Sequence, residues 1–137
     1  MRSLPAAATA VPVLIALLST AGCSGDVVST RYRTLAQYED RGWLPKEILP
    51  PSTRDILTRN NLDTNTSRGH FEFDPGDAAV FLARVRPGPP PWLSGADGSD
   101  LVVRFREDGL SVWHYSGASS RLALFCDLDA ARCEYRM

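Results

Sequence analysis

The chain has 137 residues, with 15 Lys and Arg against 16 Asp and Glu and a formal net charge of −1. That length suits one domain, and the near-neutral balance argues against a nucleic-acid partner and against a polybasic membrane patch. Lys46 is the only lysine, so the basic residues are otherwise all arginine.

Met1-Arg2 is a short positive start, and residues 5–18, PAAATAVPVLIALL, form an apolar run of signal-peptide length. A spanning helix needs about 20 apolar residues, and Pro12 interrupts this run, so a plain transmembrane anchor is the weaker reading. Thr20-Ala21-Gly22-Cys23 resembles the lipobox of bacterial lipoproteins, with Thr20 standing where Leu is preferred. The resemblance implies removal of residues 1–22, a lipid on the Cys23 thiol, and an exported protein held to the cell membrane or outer membrane. Ser24 resembles outer-membrane sorting in an organism with two membranes. Residues 23–30 then form a short tether and 31–137 a single domain. The processed chain carries 14 basic residues (15 less Arg2) against 16 acidic.

In chain order, Thr34-Leu35-Ala36-Gln37 has capping-box spacing and predicts a helix over 35–41 that stops at Gly42. The prolines at 45, 50 and 51 predict an irregular segment pinned by Trp43, Leu44 and Leu49. Residues 52–62 read either as helix or as strand. The alternation of Ile56, Thr58, Asn60 and Leu62 favours a hairpin over 55–73, with its turn at Asn65–Gly69 and with Phe71 and Phe73 inward. Asp74 and Pro75 predict a helix over 76–85 with Ala79, Val80, Leu82, Ala83 and Val85 as its apolar side. Residues 86–100 read as a loop.

Four strands are expected in the last third, at 101–106, 110–115, 122–126 and 132–136. Glu107-Asp108-Gly109 would be the first hairpin loop, with Gly109 at positive φ. The expected fold is α+β: an antiparallel sheet, made of a hairpin and a C-terminal four-strand meander, with one or two short helices on one face. Cys126 and Cys133 flank a turn in an exported chain and read as a structural disulfide. They lack the C-x-x-C spacing of a redox or metal pair.

Candidate chemistry is sparse. Asp63, Asn65, Ser67 and Asp74 match EF-hand positions, but Arg68 stands where the loop needs Gly, so a polar turn is the stronger reading. His70 and His114 have no signposted third ligand. Asp55, Asp63, Glu72 and His70 could meet across the hairpin as an acid–base site, but a solvated charged face is the default. Trp43, Asp63, Asn65 and Trp92 are candidates for a contact surface, with Trp92 in the proline-rich loop as the leading one. No cofactor is implied.

Gly42-Trp43-Leu44-Pro45, Leu49-Pro50-Pro51-Ser52, Asp55-Ile56, Asp63-Thr64-Asn65 and Phe71-Glu72-Phe73 together resemble a pattern in small uncharacterised bacterial envelope lipoproteins. The resemblance implies an envelope address and assigns no activity to any residue. Three functions remain in play. The first is a lipid-anchored, non-catalytic module that binds an envelope protein or cell-wall component. The second is an inhibitor or immunity-type lipoprotein directed against a hydrolase. The third is a hydrolytic enzyme built on the Asp55/Asp63/Glu72/His70 region.

Overall fold

The computed structural model describes residues 25–39, 43–118 and 120–137. The expected signal segment, the expected lipid site at Cys23 and the expected helix stop at Gly42 lie outside the described residues.

The fold is α+β. One antiparallel sheet runs in the order β1-β2-β3-β7-β6-β5-β4. Its strands are β1 (Val27–Thr34), β2 (Arg54–Asn61), β3 (Thr66–Glu72), β4 (Arg86–Pro87), β5 (Ser111–Ser116), β6 (Arg121–Asp127) and β7 (Arg132–Arg136). Among the described residues three α-helices accompany it: α1 (Leu35–Tyr38), α2 (Ala78–Leu82) and α3 (Ala96–Glu107). Val27 already belongs to the sheet, so residues 27–30 form an edge strand and not a tether.

Both faces of the sheet are covered in part. On one face Ile56, Phe71, Leu122, Leu124, Cys133 and Tyr135 pack with Tyr38, Ile48, Leu49, Phe73 and Phe81. On the other, Val102 of α3 packs on Val112, Ala123 and Phe125, and Phe105 stacks on Phe125 at 4.0 Å. β6 is therefore buried on both sides over Leu122–Cys126. Its unbroken apolar run is the signature of such a strand, where a half-buried strand would alternate.

The helix at α3 corrects two expectations. Residues 101–106 are helical, so the meander has three strands, and residues 96–100 begin that helix instead of extending a loop. Leu101-Val102-Val103-Arg104-Phe105-Arg106 is too short to separate the two periods. Leu101, Val102 and Phe105 also fit one helical stripe, and that stripe faces the sheet. Gly109 has the expected positive φ, 83°, but as a helix stop. Its N–H donates to Arg106 O, and Leu110 N–H donates to Phe105 O at 2.9 Å. That pair of bonds is a Schellman motif, and the Leu110 and Phe105 side chains join the same cluster beside it.

Other boundaries shift for local reasons. The helix predicted over 76–85 is a 3-10 turn at Pro75–Asp77 followed by α2, and its buried residues are Phe81 and Val85, while Val80 is exposed. The Asp74 side chain makes no cap and instead pairs with Arg54 at 2.6 Å. The hairpin turn is Leu62–Asn65, earlier than expected, and Thr66–Gly69 belong to β3. Asn61 closes it: its Oδ1 accepts from Asp63 N at 3.0 Å and Thr64 N at 3.2 Å. The β6–β7 turn repeats the device, with Asp127 Oδ1 accepting from Asp129 N and Ala130 N. Asn65 and Ala131 occupy matching positions at φ 51° and 50°. Within that second hairpin Cys126 and Cys133 are direct cross-strand partners and are disulfide-bonded.

Candidate functional site: an arginine row beside Trp92

The side chains of β2, β3 and β7 that point away from the Phe71 core form a ladder whose register places like charges together. Arg59 pairs directly with Arg68, and Arg68 pairs directly with Arg136. Direct partners in an antiparallel sheet share a face with Cβ atoms about 5 Å apart, so three guanidinium groups stand in one row across three strands. Among the described residues neither Arg59 nor Arg68 has a carboxylate within ion-pairing distance. Arg136 has Glu134, at 3.7 Å. Burial depresses the Arg136 pKa. Glu134 opposes this, and Arg68 and Arg104 push it further down. The Arg136 guanidinium also lies over the Phe105 ring, 5.6 Å from its centre.

Beside this row a cavity of about 490 Å³ is lined by Arg59, Arg68 and Arg136 together with Trp92, Leu93, Leu101, Val27, Asn61, Thr66 and Met137. Among the described residues no Asp or Glu side chain lines it. Trp92 is held there by a 3-10 turn, Pro91–Leu93, just before α3. Gly98 permits that approach, because a Cβ there would lie 2.5 Å from Leu93 O. A second cavity, about 360 Å³, continues along the same face past His70, Leu57 and Glu134 and shares the three arginines.

Next to it Asp55 sits at a register shift between Arg54 and Leu57, at φ 50°. Its carboxylate takes Arg31 at 2.6 Å and lies 3.5 Å from His70 Nε2. That second contact is too long for a good hydrogen bond, and His70 Nε2 is buried with no other partner among the described residues. Partial desolvation works against the Asp55 charge, but the Arg31 hydrogen bond and charge, then His70, hold its carboxyl below the usual range.

The candidates named from the residue pattern are thus divided. Asp55 and His70 come together. Glu72 lies further along the ladder toward Arg132, at 3.9 Å, and Asp63 is at the exposed hairpin tip. Trp43 and Asn65 share a different cavity of about 550 Å³ with Ser120, Arg121 and Met137. Met137 lines both that cavity and the one holding Trp92. The EF-hand-like stretch is a hairpin in which Ser67 Oγ donates to Asn60 Oδ1 at 2.6 Å and lies 2.9 Å from the Tyr135 hydroxyl. Burial pushes the Tyr135 hydroxyl pKa up to about 12. His114 is taken by Gly88 O, 2.9 Å from its Nδ1. Among the described residues no group of three or more His, Cys, Asp or Glu is placed to hold a metal, and no helix is long and apolar enough to cross a membrane.

Fold and groove together define an α+β domain with a cationic cleft on one sheet face. The family model of the YbbD head domain matches residues 26–72, the segment from β1 through β3, and the chain is similar to that domain there. No curated protein and no solved structure matches the chain. Arg59 and Arg68 fall inside the matched segment; Trp92, α3 and Arg136 fall outside it.

Sequence reasoning missed the arginine row. Its signal was the hairpin turn: with the turn at 62–65, Asn61/Thr66, Asn60/Ser67 and Arg59/Arg68 pair by counting outward. Placing the turn at 65–69 loses that register. Arg136 joins only through the long-range pairing of β3 with β7.

Proposed function

We propose that the chain is a lipid-anchored protein of the bacterial cell envelope whose folded domain is a non-catalytic binding module. It takes an anionic group of its partner between Arg59, Arg68 and Arg136. The observation that carries this reading is the row itself: three like charges in direct register, with one weak counter-charge. Such a row costs the isolated fold stability, and a bound carboxylate or phosphate offsets the cost through bidentate guanidinium contacts. Trp92 and Leu101 add an apolar wall of the kind that anchors interfaces. The N-terminal layout ending at Cys23 and the Cys126–Cys133 disulfide support an exported address.

The inhibitor or immunity-type role is the form this reading takes if the anionic group is a carboxylate pair in a hydrolase cleft. The hydrolase reading draws on the Asp55–His70 approach alone. The cavity beside His70 has no hydroxyl or thiol in its lining, and its one carboxylate is Glu134.

Calorimetric titration of the purified lipoprotein with inorganic phosphate and with a poly-glutamate peptide tests the binding reading. Affinity is expected to fall at least about tenfold in Arg59→Gln/Arg68→Gln and to weaken with salt. Binding unchanged in that variant would remove the row from the account. Labelling with a palmitate analogue tests the address separately: label lost in Cys23→Ser supports it, and label retained contradicts it.

A further inference from the structure

Of the six large apolar side chains exposed among the described residues, four gather at one end of the sheet: Val27 at 52 %, Val28 at 50 %, Leu62 at 56 % and Trp92 at 41 %. Val27 and Trp92 line the same cavity. Leu62 N–H donates to Asp26 O at 3.0 Å, which holds it beside the start of β1. Single exposed apolar residues are ordinary, but a cluster at one end calls for a partner surface.

The arginine row lies just behind this cluster. Val27 pairs with Asn61, and Arg59 is two residues further along β2, about 7 Å away. Asp26 and Asp63 share this end with the apolar side chains, and behind it the cationic row follows in the order of a bilayer's acyl boundary and phosphate layer. Cys23 precedes Val27 by only four residues, which span at most about 14 Å.

We infer that this end of the domain seats on an anionic phospholipid surface, with Val27, Leu62 and Trp92 at the headgroup–acyl boundary and Arg59, Arg68 and Arg136 on lipid phosphates. The inference rests on the reading of the row as an anion site and of Cys23 as lipid-bearing, and it names the anion. Tryptophan suits that boundary because its ring is apolar with one polar N–H. Arginine suits the layer above because its stem packs on apolar surface while its fork meets phosphate. A ligand that was only a soluble anion would need the arginines but not the apolar tip. The domain would lie on the membrane with the groove at the headgroups instead of swinging on its anchor.

The test uses the full lipidated chain, carrying Leu62→Cys labelled with a polarity-sensitive dye. It is reconstituted in vesicles of phosphatidylcholine alone or with phosphatidylglycerol, each doped with a spin-labelled quenching lipid. Quenching is expected to be several-fold greater with phosphatidylglycerol, to fall at high salt, and to be lost in Arg59→Gln/Arg68→Gln. Equal quenching in both vesicles, or quenching indifferent to the arginine variant, overturns the inference. A dye that stays in water while inorganic phosphate still shifts the arginine Nε–H resonances also overturns it, and leaves the anion site standing. If no anion shifts those resonances, both readings fall.

Discussion

Arg59 and Arg68 face each other directly across the β2–β3 hairpin, two full charges on one face with no carboxylate between them. Like charges directly opposite each other destabilise a hairpin. Arg136 extends the conflict onto a third strand.

Arg68→Gln relieves both contacts at once. It is expected to raise stability by about 0.5 kcal/mol at low salt, and the gain should shrink as salt screens the row. Urea unfolding at low and high ionic strength measures it. A low-salt loss of stability would mean that Arg68 makes a stabilising contact and that the row is not under repulsion.

Two glycines separate conformational strain from lack of space. At Gly109, φ is 83° and nothing lies within 4 Å of an added Cβ, so Gly109→Ala should cost only the left-handed penalty, about 1–2 kcal/mol. At Gly69 an added Cβ would lie 1.7 Å from Leu57 O and 3.0 Å from the Tyr135 ring. Gly69→Ala should therefore prevent β2 and β3 from closing in this register. Thermal unfolding of both variants is the check. Equal, mild effects would show that the hairpin yields at Gly69.

How much of the fold is legible in the residues depends on the range of the interactions. Phe71 in β3 and Phe73 just past its end keep the alternation around Glu72, and both are fully buried as that pattern requires. Cys126 and Cys133 sit around a short turn, so their pairing is local and readable. Gly109 announces a positive φ, but hairpin loop and helix stop ask the same of a glycine. Val102 and Phe105 decide between the two by packing on Val112 and on Ala123 and Phe125, and the last two lie on β6, beyond a local window around residue 109. The candidate site is the least legible part. Trp92 stands out by residue type, whereas Arg59, Arg68 and Arg136 gain meaning only from the register of three strands.

Reduction of the disulfide should weaken the domain without changing its topology. Closing so small a loop contributes about 2.5 kcal/mol by the chain-entropy relation. Cys126→Ala/Cys133→Ala should lower stability by that order in urea unfolding, with an added share from the two buried sulfurs. A loss well below about 1 kcal/mol would mean that the hairpin turn at Asp127 already holds the unfolded chain in that loop.

Asp55 sets a pH dependence whose sign follows from its depressed pKa. Its contribution is present above the ordinary carboxylate value and is lost as pH falls through the lower folded value. Asp55→Asn keeps a residue type that tolerates φ near 50° and removes only the charge. The variant should be less stable than wild type at neutral pH, with the gap closing below about pH 4. A gap that stays constant down to acid pH would assign the difference to shape and not to the Arg31 and His70 contacts.

In the proposed function Arg59, Arg68 and Arg136 act together on one anionic group. Side-chain Nε–H resonances of the arginines, followed by NMR during titration with inorganic phosphate, test it most directly. These three resonances should move together on a single saturating curve while Arg84 and Arg121 stay still, and Arg68→Gln should flatten the response of the other two. Independent, unsaturated drifts spread evenly over all arginines would contradict the account.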